Sequence, residues 1–195
     1  MRFAAYTGLR TGELAGLQIR DVNMLRRTVR VERQLQRVKG GLEYIEPKTS
    51  NSHRYVPLRR SLVDDLAAYL ADHPRRDDPL APLWPGREKG GERAIDFDRL
   101  MDPASFYRYY LKPTAARIGL GAVRAHDLRH TYAAIAAASG IEIQKVSRFM
   151  GHHSISVTAD TYGHLFHSDF DSDMDRLDAY VTTRSGTVQP LRKDA

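Results

Sequence analysis

The sequence predicts an α+β domain that is mainly α-helical and carries a small antiparallel sheet of three strands. Apolar residues recur at helical spacing through most of the second half of the chain. Between positions 28 and 58 they instead alternate with charged residues, which is typical of strands. The 195 residues are 42% hydrophobic, enough for one domain with a core of its own.

The first 58 residues are predicted to form a helical hairpin followed by the sheet. A turn at Thr7-Gly8 precedes Thr11, a plausible N-cap for the second helix. The first strand begins near residue 28, and a turn at Lys39-Gly40-Gly41 follows it. Two further strands are expected, which completes a three-stranded antiparallel meander: Leu42 to Pro47 and His53 to Leu58.

Helical periodicity returns after the sheet, first over residues 61–72. Residues 73–103 are rich in proline, glycine and charge, so we predict a long surface connection there. More helices are predicted in the C-terminal half: about 104–117, 126–139, 141–150, 155–166 and 170–181. Residues 182–195 are predicted to be a flexible tail.

Composition excludes several classes of protein. There is no cysteine, which excludes disulfides and thiolate metal sites. No apolar run reaches the roughly eighteen residues that a membrane span needs, and there is no signal-peptide pattern, so we expect a cytoplasmic protein. Thirty basic against 24 acidic residues give a net charge of +6, a modest bias toward polyanionic partners.

A set of cationic and nucleophilic side chains lies at the ends and turns of the predicted elements: Arg10, Lys48, His126, Arg129, His152 and Tyr162. A pair of arginines suits a phosphodiester, because each guanidinium donates two hydrogen bonds to non-bridging oxygens and stays charged. A tyrosine beside them can attack phosphorus, and the surrounding cations would acidify its phenol. A lysine or histidine can protonate the leaving alkoxide.

Four segments resemble the successive signature boxes of the tyrosine recombinases, the phage integrase family. They occur in the family's order across residues 4–166: TGLRTGEL, PKTSNSHRYVPL, HDLRHTYAA and MGHHSISVTADTYGH. The resemblance assigns the family's catalytic positions as follows: its first arginine to Arg10, the next acidic residue to Glu13, its hairpin lysine to Lys48, its H-x-x-R pair to His126 and Arg129, its later histidine to His152 and its nucleophile to Tyr162.

The resemblance implies site-specific DNA recombination without a metal or nucleotide cofactor. Tyr162 would attack the scissile phosphate, leaving a 3′-phosphotyrosyl bond and a free 5′-hydroxyl. Phosphoryl oxygens would be held by Arg10, Arg129 and His152. The partner it implies is double-stranded DNA.

Three further roles follow from the same resemblance. Lys48 would protonate the leaving 5′-oxygen, His126 would manage the tyrosine proton, and Glu13 would orient its neighbours. From the residues alone, Lys39 competes with Lys48 and Tyr132 competes with Tyr162.

The resemblance also bears on domain organisation and assembly. Residues 1–181 would be the catalytic domain, and the helices and core-binding domain that precede it in the family are expected to be missing. The C-terminal segment would join copies into a homo-oligomer, a tetramer on DNA. Its amphipathic helix could equally pack on its own domain or on a neighbour.

Three alternatives remain open from the sequence. A tyrosine-type topoisomerase would share the catalytic set, and a DNA-binding module could carry it without cutting. A zinc site is disfavoured because its candidate ligands have neither an H-x-x-x-H spacing nor a convincing carboxylate partner: His152, His153, His164 and His167.

Overall fold

The computed structural model describes residues 1–46, 53–88, 94–166 and 170–184. Its α-helices are α1 (Arg2–Thr7), α2 (Thr11–Ala15), α3 (Arg60–Ala71), α4 (Pro103–Phe106), α5 (Lys112–Arg117), α6 (Asp127–Ala138), α7 (Ile143–Met150), α8 (Ile155–Tyr162) and α9 (Phe170–Arg184). Its strands are β1 (Val22–Asn23), β2 (Thr28–Val31), β3 (Gln34–Val38), β4 (Gly41–Ile45), β5 (Arg54–Pro57), β6 (Pro85–Arg87) and β7 (Ile95–Leu100).

The described residues confirm a mainly helical α+β fold with a three-stranded antiparallel sheet, but the predicted meander is wrong. The strand order is β1-β2-β5, and β3 with β4 forms a separate hairpin. The alternation of apolar and charged residues that begins at residue 28 is interrupted at Glu32-Arg33, where Arg33 donates to the buried carboxylate of Asp21. Within β2 the alternation behaves as predicted, since Val29 and Val31 are fully buried.

The segment 73–103 is not the plain surface connection that the sequence predicts. Ala81 and Leu83 are fully buried, and the Leu83 N–H donates to the Leu17 carbonyl at 2.9 Å. Beyond them β6 and β7 pair as an antiparallel hairpin. The apolar residues of this segment are too few and too irregularly spaced to show a helix or strand period, so the sequence did not reveal that some of them reach the core.

The buried side chains form two separate clusters. The larger one joins α1, α2, the three-stranded sheet, α3 and the segment around Leu83. The smaller one lies between α6, α7 and α8 and consists of Tyr132, Ala133, Ala136, Val146, Met150 and Tyr162. The tyrosine predicted to be the nucleophile is therefore itself a member of the smaller core.

The C-terminal helices follow the predicted order with shorter bounds. The helix predicted at 155–166 ends at Tyr162 and continues as a 3₁₀ turn, Gly163–Leu165. The helix predicted at 104–117 contains a π-helical turn, Tyr107–Leu111. In the described part of the chain, no helix is long and apolar enough to cross a membrane.

Helix α9 extends past the predicted end at residue 181 to Arg184, and residues 185–195 lie outside the described part of the chain. Every described side chain between positions 171 and 183 is exposed. Its apolar stripe is solvent-facing at 52–58% relative exposure: Met174, Leu177, Tyr180 and Val181. Met174 and Leu177 are therefore left largely accessible by the described part of the chain.

Candidate active site

Arg10 is placed by the turn between α1 and α2. Gly8 ends α1 with φ +64, and a Cβ there would lie 2.4 Å from the Tyr132 ring, so only glycine suits the position. Arg10 then becomes the N-cap of α2, one residue before the predicted Thr11. Its backbone N–H donates to the Glu13 carboxylate at 2.9 Å, which satisfies a helix-terminal donor.

Glu13 is the buried anion of the site and binds two arginines. Its carboxylate accepts Nη1 and Nη2 of Arg54 at 3.0 and 2.8 Å, and Nη1 of Arg10 at 3.0 Å. Burial raises the pKa of Glu13, but the hydrogen bonds and charges of Arg54 and Arg10 outweigh it and leave that pKa below its usual range. Glu13 is therefore an ionised carboxylate that orients two guanidiniums.

Arg54 is a site residue that the sequence analysis missed. It lies on β5 at only 7% relative exposure, at a position where the strand alternation places a side chain inward. Its Nε donates to the Phe149 carbonyl at 2.7 Å, so it joins Glu13 to α7. The signal available in the sequence was an arginine at an inward position of a short strand.

Arg129 lies in the first turn of α6 and is 2% exposed. Its Nη1 donates to the Gly8 carbonyl at 2.5 Å and its Nη2 to the Met150 carbonyl at 2.7 Å. Burial, helped by the charge of Arg10, lowers the pKa of Arg129 to about 10, so it remains a cation at neutral pH. This one side chain ties the start of the chain to the end of α7.

The C-terminal end of α7 gathers three guanidiniums on three consecutive carbonyls. Arg54 donates to the Phe149 carbonyl and Arg129 to the Met150 carbonyl. Arg10 donates to the Gly151 carbonyl at 3.1 Å. A helix leaves its last carbonyls without partners inside the helix, and its dipole makes that end attractive to cations. The helix end therefore fixes a cluster of like charges that would otherwise repel one another.

Gly151 makes this arrangement possible. It ends α7 in the left-handed region at φ +67. A Cβ at this position would lie 2.7 Å from Cζ of Arg54, inside the van der Waals distance. A glycine is required both for the backbone turn and for the approach of the guanidinium.

His152 follows Gly151 and lies parallel to the ring of Tyr162, with 6.4 Å between centroids and 5° between planes. Its Nδ1 is 2.7 Å from Oγ1 of the buried Thr158. Burial and then the charges of Arg129 and Arg10 lower the pKa of His152 to about 4. The imidazole is therefore neutral at pH 7.

Tyr162 ends α8 and is 4% exposed. Burial raises the pKa of Tyr162, and the opposing charge of Arg129 is the smaller effect. The expectation that the cations acidify this phenol is wrong for this structure, because desolvation of the phenolate outweighs them. Its hydroxyl instead lies 2.8 Å from Nδ1 of His130.

His126, predicted to manage the tyrosine proton, is the exposed N-cap of α6. Its ring packs edge-on against His130 at 4.6 Å between centroids, and it has no hydrogen bond to the Tyr162 hydroxyl within the described residues. Burial and then the charges of His130 and Arg129 lower the pKa of His126. The sequence analysis did not single out His130.

The structure thus brings together five of the predicted site residues: Arg10, Glu13, Arg129, His152 and Tyr162. Lys48 lies outside the described residues, and its competitor Lys39 is exposed beside the turn between β3 and β4. The competing Tyr132 is buried against Gly8, and burial raises its pKa to about 12. The described residues contain no group of histidine and carboxylate side chains that could hold a metal ion.

These features define a mainly helical domain in which a tyrosine lies beside arginines fixed by backbone carbonyls. Residues 1–168 match the model of the phage integrase family. The chain belongs to this family.

Similar proteins include a tyrosine recombinase XerC-like protein of Caldanaerobacter subterraneus subsp. tengcongensis, 33% identical over 171 residues, which are 82% of this chain and 43% of the relative. The ICEBs1 integrase of Bacillus subtilis is 25% identical over 175 residues, or 90% of this chain and 46% of that protein. The chain therefore spans less than half the length of these relatives.

Two solved structures have the same fold. The Tn1549 transposon integrase in complex with circular intermediate DNA is 25% identical, with a TM-score of 0.64 over 89% of this chain and 57% of that one. The crystal structure of XerA recombinase is 24% identical, with a TM-score of 0.60 over 97% of this chain and 55% of that one.

Proposed function

We propose that residues 1–181 are the catalytic domain of a site-specific DNA recombinase, which cleaves and rejoins double-stranded DNA through a 3′-phosphotyrosyl intermediate. The observation that carries the proposal is the fixing of Arg10 and Arg129 on adjacent carbonyls of α7, beside Tyr162. Membership of the phage integrase family supports it.

The arginines bind the scissile phosphate. Arg10 is the accessible one, since its side chain is 41% exposed while its guanidinium stays anchored to Glu13 and Gly151. Charge builds on the non-bridging oxygens during attack at phosphorus, and donors that are already fixed stabilise it without reorganising. Arg129 remains positively charged although it is buried. Its charge therefore adds a favourable electrostatic interaction with the same phosphoryl oxygens.

His152 supplies a neutral donor. The Thr158 hydroxyl can donate to Nδ1 of His152, which leaves the ring proton on Nε2, free to bind a phosphoryl oxygen. A neutral imidazole with a low pKa keeps this tautomer across the physiological range.

Tyr162 is the nucleophile. A bond forms between its phenolic oxygen and phosphorus while the bond from phosphorus to the 5′-oxygen breaks, and Lys48 protonates that oxygen. Attack by a 5′-hydroxyl of another strand then reverses the bonding and releases Tyr162. Since Tyr162 is only 4% exposed, its hydroxyl must become more accessible before it attacks the phosphate.

A library of nicked duplexes with randomised sequence around the nick tests this function. Cleavage just upstream of a nick releases a short fragment, so religation fails and the covalent adduct accumulates. The chain should give an adduct stable in SDS, with the DNA joined to the peptide that contains Tyr162. No adduct with the chain, or an equal yield with Tyr162→Phe, would disprove the assignment. Relaxation of supercoiled plasmid by the same protein, without any sequence selected from the library, would instead indicate a topoisomerase.

Helix α9 docks on a second copy in our proposal, so that the protein assembles on DNA as a homo-oligomer. Two exposed apolar side chains of this helix, Met174 and Leu177, support an intermolecular role because more than half of each is accessible to solvent. Analytical ultracentrifugation with and without DNA would measure the assembly. A complex with one protein copy per DNA site at all concentrations would rule this out.

A further inference from the structure

We propose that His130 is a further catalytic residue, the immediate acceptor of the Tyr162 proton, and that His126 acts behind it. This inference rests on the proposed function. It places a residue outside the motif assignments in direct contact with the reacting oxygen.

The contact geometry carries the inference. Nδ1 of His130 lies 2.8 Å from the Tyr162 hydroxyl, within the distance over which a general base takes a proton. The two rings are 5.4 Å apart between centroids, so the hydroxyl approaches the imidazole at its edge. The His126 side chain contacts this pair through the edge of the His130 ring.

The helix explains why the role falls on position 130. His126 and His130 are four residues apart and therefore share one face of α6, where their rings meet. Arg129 is one residue earlier, so its side chain leaves the helix about 100° away, toward the end of α7. One turn of α6 therefore presents a phosphate-binding cation to one side and a base to the other.

The proton step balances as follows. With its ring proton on Nε2, His130 accepts the phenolic hydrogen bond at Nδ1. As the phenolic oxygen bonds to phosphorus, its proton passes to Nδ1 and His130 becomes an imidazolium. The proton returns along the same path when a 5′-hydroxyl displaces Tyr162 from phosphorus.

The charges around His130 suit a transient cation. Asp127, on the same helix, accepts hydrogen bonds from Arg124 that hold its pKa below the usual range, so an anion lies one turn away. His126 contacts the ring and is exposed, which connects it to solvent. Tyr162 of α8 faces the ring from a packed element.

His130→Asn separates proton transfer from simple positioning. The asparagine oxygen can occupy the region of Nδ1 and accept the phenolic hydrogen bond, but it cannot take up a proton. We expect adduct formation on the nicked duplexes to slow by about 10²- to 10⁴-fold, the range for loss of a general base. Affinity for the same DNA should stay within about twofold, because the phosphate-binding arginines are untouched.

The pH dependence gives the readout that a structural role would not move. The wild-type cleavage rate should reach a plateau as pH rises, whereas the rate of His130→Asn should keep rising toward the ionisation of the phenol itself. A wild-type rate in His130→Asn, or a slower rate with an unchanged profile, would overturn the proposal. If the wild-type chain forms no adduct, the proposed function itself fails. If the wild-type chain forms the adduct and His130→Asn behaves like it, only the role of His130 fails.

A measurement on the free protein, without DNA, tests the proposal even if His130→Asn does not fold. The ¹⁵N spectrum of the imidazoles should show His130 as the Nε2–H tautomer, with a shift at Nδ1 on Tyr162→Phe. The buried His73, far from α8 in sequence and packed against Tyr69 and Phe97, is the internal control. An Nδ1 signal of His130 that is unchanged by Tyr162→Phe contradicts the proposal.

Discussion

The arginine side and the tyrosine side of the site are held in different ways. Arg54 and Arg129 are buried and each bind two different elements of the fold, and Arg10 is tied to both Glu13 and Gly151. Within the described residues the Tyr162 hydroxyl has one hydrogen-bond partner, His130, and the side chain lies in the smaller of the two cores at the end of an eight-residue helix. The arginine side chains are therefore fixed by more hydrogen bonds between elements than the tyrosine side chain is.

The largest effect should follow from removing the anion of the arginine side. Glu13→Ala leaves Arg54 buried and without its carboxylate, so the free energy of unfolding should fall by about 3–5 kcal/mol. Urea denaturation followed by circular dichroism measures this change.

Glu142→Ala is the matched control, because Glu142 pairs with Lys145 at the surface, where both side chains are about 60% exposed. Its effect should stay below about 1 kcal/mol. Equal losses in the two variants would show that the arginine side is no better fixed than a surface ion pair.

The second effect concerns the glycine that joins the two sides. Gly151→Ala forces an L side chain into the left-handed region and against the Arg54 guanidinium, so we expect about 2–3 kcal/mol of destabilisation. Gly140→Ala has a similar φ of +72 and open space around its Cβ, so it isolates the backbone strain of about 1 kcal/mol. A common Tm shift for the two variants would mean that contact with Arg54 is unimportant.

The third effect is the pH dependence of stability on the tyrosine side. The folded protein holds the pKa of His152 at about 4, below its unfolded value of 6.5. The unfolded chain therefore takes up a proton first as pH falls, and stability is lost from about pH 6.5 down to pH 4.

His152→Asn should weaken this dependence by about 1–2 kcal/mol between pH 7 and pH 5. Thermal unfolding at several pH values measures the difference. Parallel curves for the variant and the wild type would show that His152 is not desolvated beside Tyr162.

The smallest effect on stability should come from α9. Leu177→Ser removes an apolar side chain that is 52% exposed, so the free energy of unfolding should change by less than about 0.5 kcal/mol. Self-association on DNA should weaken in the same variant. A loss of several kcal/mol in the isolated chain would mean that α9 packs on its own domain and would contradict the proposed assembly.

Sequence patterns anticipated the helices and the family, because both depend on local spacing and on short motifs. They did not anticipate Arg54, since an arginine on a strand is usually solvated and its partners lie 41 and 95 residues away. Nor did they distinguish His130 from His126. The two share a helix face, and only the position of α8 decides which of them meets Tyr162.

Two hydrogen bonds of the site join residues that are far apart in the sequence. Arg10 donates to the Gly151 carbonyl, 141 positions away, and Arg129 donates to the Gly8 carbonyl, 121 positions away. Loop closure over such distances is slow and follows the formation of local helices and hairpins. A partly synthesised or partly unfolded chain therefore has its separate motifs but no assembled phosphate site. Under the proposed function, DNA cleavage therefore requires a chain that has finished folding.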